Sequence, residues 1–194
     1  MISYFNQKDV QTALAHKLAL KVNLQTFEDN QSLIAALKTK NRQILHMDFV
    51  RSNILFNNLS YHQLKQKSLT DFALDPAEKC HQSRFLTISG ILDWEKTSYG
   101  PKVIDLARTL SFLLVDCKYK TEQQVRKYFL HSGYRKRGPA GLTNLQLLNP
   151  LVKFFWLFDF YKFLIHNPYQ FLNQNEHFTR TRDKLLKTKI LKTI

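Results

Sequence analysis

Apolar residues recur at near-helical spacing at the start of the chain. Val10, Leu14, Leu18 and then Leu20 or Val22 mark QKDVQTALAHKLALKV, and SLIAALK repeats the pattern behind Asp29 and Asn30 as caps. Two helices are predicted before residue 40. The pattern then changes to short apolar runs bounded by polar clusters, RQILHMDF, NILF and RFLTISGILDW, which read as short strands flanking loops. Between the second and third lies NNLSYHQLKQKSLTDFALDPAEKCHQS, polar and mixed in charge, an insertion over about residues 57–84. It reads as a lid, a partner site or a surface excursion, and the last is favoured because loops lengthen at small entropic cost.

Helical periodicity dominates after Gly100-Pro101. KVIDLARTLSFLLVD is strongly amphipathic behind its proline, TEQQVRKYFLHSG is a second helix with Gly133 near its end, and RKRGPAG is a basic loop. The remainder reads as two long helices broken around Asn167-Pro168. The expected class is α+β and mainly helical. One domain spans residues 1–194, with helices over 1–42, a core of short strands and loops over 43–95, and a helical subdomain over 101–194.

Composition agrees with a folded domain. At 194 residues, 44% hydrophobic and with 15 phenylalanines, the chain can bury a sizeable core. Cys80 and Cys117 are too few for a disulfide framework, and Cys80-His81 lacks the further ligands of a structural zinc site. A reducing, cytoplasmic setting is expected. MISYFNQKDV does not read as a signal peptide, and the apolar stretches LVKFFWLFDFYKFLI and TLSFLLVDC are too short or too interrupted to span a membrane.

The net charge of +14 is unevenly distributed, for residues 101–194 carry 17 of the 29 basic but only 6 of the 15 acidic side chains. Arg135, Lys136 and Arg137, with Arg180, Arg182, Lys184, Lys187, Lys189 and Lys192, could form a nucleic-acid or anionic-membrane surface. A solvated helix face is preferred because no nucleic-acid-binding motif accompanies them. A field of this sign attracts acidic or phosphorylated molecules and repels polyamines.

The candidate chemistry lies in two segments, His46-Met47-Asp48-Phe49-Val50-Arg51-Ser52-Asn53 before the run ILF, and Ile91-Leu92-Asp93-Trp94-Glu95 at the end of the next predicted strand. Phosphoryl transfer needs such a set: an aspartate on a loop to accept a hydroxyl proton, an asparagine five residues on to ligate magnesium, and a second aspartate to hold metal against phosphates. Glu95 reads as a backbone helper rather than a ligand. The stripe Leu151, Phe154, Phe155, Phe158, Tyr161, Phe163 and Leu164 reads as core in preference to a substrate or lipid pocket. Asp159 and Glu176 are acidic groups available for substrate contacts. His16, His62, His131, His166 and His177 show no ligand spacing and read as surface or capping residues.

HMDFVRSNILF, ILDWE and YGPKVIDLARTL, in that order, resemble the C-terminal lobe of the aminoglycoside phosphotransferase and choline kinase-like family, relatives of the protein kinases, over roughly residues 7–130. The resemblance implies a protein kinase-like fold and transfer of the ATP γ-phosphate to a hydroxyl of a small molecule. Asp48 would be the catalytic base, Asn53 and Asp93 the Mg²⁺ ligands, and His46 and Asp105 the supports of the catalytic loop.

Three departures accompany it. Met47 stands where the family usually has glycine, the gap from Asn53 to Asp93 is long, and the 45 residues before His46 are too few for the family's N-lobe. None of Gly90, Gly100, Gly133, Gly138 and Gly141 forms a phosphate-cradling motif. A truncated lobe without its N-lobe is therefore expected, binding Mg-ATP weakly or not at all on its own and calling for a separately encoded N-lobe or self-association. An inactive remnant or binding module is the alternative, and a basic nucleic-acid-binding protein the second.

Overall fold

The structure, a computed structural model, describes residues 1–23, 25, 37, 42–59, 85–134 and 145–193. The chain opens with α1 (Ile2–Phe5), α2 (Lys8–Leu18) and β1 (Leu20–Val22). Next come β2 (Arg42–Leu45), a 3₁₀ turn (Arg51–Asn53), β3 (Ile54–Leu59), β4 (Phe85–Ile91) and β5 (Ser98–Pro101). Helices then take over: α3 (Lys102–Asp116), α4 (Glu122–Arg126) running on as π-helix over Lys127–Tyr134, α5 (Leu145–His166), α6 (Tyr169–Leu172) and α7 (Glu176–Lys187). A last strand, β6 (Leu191–Thr193), follows. Among the described residues the fold is mainly helical with a few short strands, an α+β arrangement. The strands form antiparallel pairs, β1 with β6, β2 with β5 and β3 with β4.

Several boundaries differ from those expected of the sequence. Helix α2 stops at Leu18 because Ala19 turns left-handed at φ 53°, its N–H still bonded to the Ala15 carbonyl at 3.1 Å. Leu20 and Val22 therefore lie two apart on one buried face of β1 rather than on a helix. Asn57–Leu59, placed in the insertion by composition, extend β3 and pair with Phe85–Thr87. Residues 60–84, the basic loop 135–141 and, apart from Leu37, the helix SLIAALK lie outside the described residues. The second long C-terminal helix is two helices. Pro168 starts α6, and the Asn175 side chain starts α7 by accepting the Phe178 N–H at 2.9 Å.

The core is built where α3, α5 and α7 meet. Pro101, with φ −65°, leads into α3, and Val103, Leu106, Ala107, Leu110 and Leu114 bury one stripe of it. Phe160 of α5 is fully buried and stacks on Phe178 of α7 at 5.3 Å and on Phe5 of α1 at 6.4 Å. Each buried phenylalanine stabilises the fold by about 1.5–3 kcal/mol, so this three-ring column ties the two ends of the chain to its middle. The Trp156 indole N–H donates to the Ser111 carbonyl at 3.2 Å, which satisfies the one polar atom of a buried ring.

Much of the basic charge of α7 is used internally. Lys184 reaches Glu122 at 2.9 Å, Arg182 reaches Asn173 at 2.9 Å, and Arg180 donates to the Val115 carbonyl. Arg135, Lys136 and Arg137 lie outside the described residues. No helix among the described residues is long and apolar enough to cross a membrane.

Candidate active site

Strand β5 runs directly into α3, and β2 lies alongside β5 with Arg42 opposite Pro101 and Leu45 opposite Ser98. Gly100 permits the close approach, since a Cβ there would meet the Leu45 side chain at 3.0 Å. The segment leaving β2 is thereby delivered to the first turn of α3. There the Asp105 carboxylate accepts the His46 N–H at 3.1 Å through Oδ2 and the Met47 N–H at 2.8 Å through Oδ1. One carboxylate thus satisfies two successive backbone donors of the loop.

His46 fastens the same loop to the end of β4. Its ring is 5% exposed, packs edge-on against Trp94 at 4.7 Å, and brings Nε2 to 2.8 Å from the Leu92 carbonyl. A carbonyl only accepts, so Nε2 carries the proton. The bare Nδ1 then accepts the Asp48 N–H at 3.3 Å. A further backbone bond, from the Leu92 N–H to the Asn53 carbonyl at 2.8 Å, closes the junction from the other side.

These attachments bring Asp48, Asn53 and Asp93 together. The Asn53 amide nitrogen donates to the Asp48 carbonyl at 2.9 Å and lies 3.5 Å from both Asp48 Oδ2 and Asp93 Oδ2. Asp48 is 7% and Asn53 9% exposed, whereas Asp93 faces solvent. The five residues singled out from the sequence form one connected cluster.

Two of its residues hold left-handed backbone, Met47 at φ 64° and Asp93 at φ 60°. For a residue with a Cβ this costs on the order of 1–2 kcal/mol, and such cost concentrates at functional sites. Met47 adopts at this cost the conformation that glycine adopts freely.

One member of the cluster was not anticipated. Lys96 donates from Nζ to Asp48 Oδ2 at 2.7 Å, aimed there by the turn in which the Thr97 N–H bonds to the Trp94 carbonyl at 3.1 Å. The bond to Asp48 holds the Lys96 ammonium above the ordinary lysine range, against an opposing pull from partial burial. Nothing in the local sequence distinguishes this lysine from a solvated one; only the turn directs it inward.

Comparisons with protein-family models, with curated proteins and with solved structures return no match.

Among the described residues no three His, Cys, Asp or Glu side chains are grouped to hold a metal ion. The Asn53 amide nitrogen is committed to Asp48, which leaves its oxygen, partnered among the described residues by the Ser52 hydroxyl at 3.2 Å, and the Asp93 carboxylate as hard donors. Magnesium keeps several waters and takes one or two protein carboxylates plus substrate phosphates, so a sparse oxygen pair of this kind fits it.

Beside the cluster, past Met47 and Lys96, lies a cavity of about 840 Å³ walled by α3 and α5. Phe154, Phe155, Phe158 and Phe163 of the aromatic stripe line it, while Leu151 and Leu164 of the same stripe are buried. Phe155 is itself buried in the core and Phe154, Tyr161 and Phe163 pack against it, so the stripe is core as read, with part of it open to the cavity. Asp159 also lines the cavity, only 8% exposed, and both its oxygens accept from Arg108 Nη1, at 2.7 and 2.8 Å. Burial still pushes the Asp159 carboxyl above its ordinary range, with Arg108 pulling the other way. Glu176 is not at this wall; it pairs with Lys118 and Arg180 on the surface. His177 is, and its Nδ1 lies 2.8 Å from Asp116.

Proposed function

We propose that this chain is the catalytic lobe of a small-molecule phosphotransferase of the aminoglycoside phosphotransferase and choline kinase-like type, with a protein kinase-like C-terminal lobe. The observation that carries the reading is the convergence of Asp48, Asn53 and Asp93 on a loop clamped by Asp105 and His46. Random turn residues have no reason to share such a clamp.

In this reading the acceptor hydroxyl donates its hydrogen bond to the Asp48 carboxylate. As the hydroxyl oxygen forms a bond to the γ-phosphorus of ATP, the bond from that phosphorus to the β,γ-bridging oxygen breaks and ADP leaves. The hydroxyl proton passes to Asp48. Asn53 and Asp93 would hold Mg²⁺, which supplies neutralisation of phosphate charge. Lys96 shares Asp48 in the resting site, and it faces the developing negative charge once a phosphate group is beside it. Asp105 and His46 hold the base and the metal-side aspartate in one geometry, which is the positioning that in-line transfer requires. This reading calls for a nucleotide-gripping lobe against the site.

The test has two parts. Mn²⁺ added to the labelled chain should broaden the Asn53 side-chain amide resonance, and Asp93→Ala should remove the effect. Transfer from γ-labelled ATP to a small-molecule extract should vanish in Asp48→Ala while its thermal melting is retained. Unchanged transfer in that variant would refute the role of Asp48.

A further inference from the structure

The cavity beside Asp48 has a charge and ring arrangement of its own. Its wall carries Phe112, Phe154, Phe155, Phe158 and Phe163, so the body of any occupant meets aromatic surface. Aromatic walls can also trap ammonium groups, but here Phe112, Phe155 and Phe158 already carry a cation. The Arg108 guanidinium lies 3.9 Å from the Phe112 ring centre and 5.2 Å from that of Phe155, and the Lys162 ammonium lies 5.8 Å from that of Phe158.

Carboxylate charge is equally committed. Asp159, the acidic residue of the wall, gives both oxygens to Arg108, and Lys96 is bonded to Asp48 at the inner end. At the mouth, Lys162 is exposed and has no carboxylate partner among the described residues, with His166 beside it. An incoming cation would find its acidic partners and several ring faces occupied, and would meet a lysine on entry. An incoming anion would find that lysine without a carboxylate partner among the described residues.

We infer that this cavity binds a hydroxyl compound with an aromatic or similarly apolar body and an anionic group, and discriminates against amines. The statement that the bound hydroxyl is the phosphate acceptor rests on the phosphotransfer reading; the binding preference does not.

Three probes that share a phenol ring and differ in charge test it: 4-hydroxyphenylacetate, the neutral 4-(2-hydroxyethyl)phenol, and tyramine. Saturation-transfer NMR with the full chain, without ATP or metal, should rank them in that order, with about tenfold between the first and the last. Lys162→Gln should shrink that gap severalfold, and Phe158→Ala should weaken all three alike. Tyramine binding as tightly as the anion, or no saturation transfer to any probe at millimolar concentration, overturns the inference. The expected order together with no Mn²⁺ broadening of the Asn53 side-chain amide keeps the cavity assignment and discards the phosphotransfer reading. Efficient transfer to amine-bearing acceptors in preference to anionic ones does the reverse.

Discussion

The Lys96 ammonium lies 2.7 Å from Oδ2 of Asp48, so the proposed base rests with a cation already in place. Removing it by Lys96→Met leaves two neighbouring carboxylates, Asp48 and Asp93, with less positive charge between them. Affinity for Mn²⁺, followed by electron paramagnetic resonance, should rise about three- to tenfold, while phosphate transfer falls. Weaker Mn²⁺ binding in the variant would contradict this placement of charge. The pair is half-exposed, so its contribution to stability is under about 1 kcal/mol. Because Lys96 is raised above its ordinary value of 10.5, that contribution is complete below this pH and is lost as pH rises through the raised value. Melting curves of parent and variant should therefore converge in strongly alkaline buffer.

Asp105→Ala removes the acceptor of both the His46 and Met47 N–H groups. Charge-assisted bonds of this kind contribute about 1.5–3 kcal/mol each, so the variant should lose about 3–5 kcal/mol in urea denaturation. Asp105→Asn keeps one acceptor oxygen and should lose about half as much. Equal losses in the two variants would mean that the carboxylate does not act through these two bonds.

Met47 separates side-chain packing from backbone conformation. At φ 64°, alanine keeps the left-handed penalty and loses the methionine packing, whereas glycine loses the packing but also the penalty. Met47→Gly should be more stable than Met47→Ala by about 1 kcal/mol, the reverse of the usual order. Chemical denaturation of the two variants checks it.

Arg108→Met leaves Asp159 buried without its cation, at a cost of about 3–5 kcal/mol near neutral pH. Asp159 already titrates above its ordinary 3.8, so its protonated form is favoured by the fold, and stability from this group falls as pH rises through the raised value. Losing Arg108 raises it further. The deficit of the variant relative to the parent should therefore be largest at neutral pH and shrink as pH falls toward 3.8. A deficit independent of pH would place the cost in lost contacts of Arg108 with Phe112 and Phe155 instead.

The sequence made the strands around the cluster legible because apolar runs such as NILF and RFLTISGILDW have few alternatives to pairing. Asp48, Asn53 and Asp93 stand out because each lies beside such a run, whereas His46 and Asp105 were named only through the family resemblance. Lys96 was illegible because its direction depends on one turn, at Trp94–Thr97, and not on spacing. Strands β1, β5 and β6 were missed for a related reason. Segments of three or four residues carry too little periodicity, and β1 and β6 are defined only by each other.

That mutual dependence of β1 and β6 bears on how the chain is made. Leu20 and Val22 are synthesised long before Thr193 and Leu191, the residues that pair with them. Until then a nascent β1 keeps both apolar side chains and its unpaired edge open to other chains. Chaperone binding to stalled translation products should therefore persist while Leu191–Thr193 is unmade or inside the exit tunnel, and fall sharply in products extended by a linker long enough to bring that segment out.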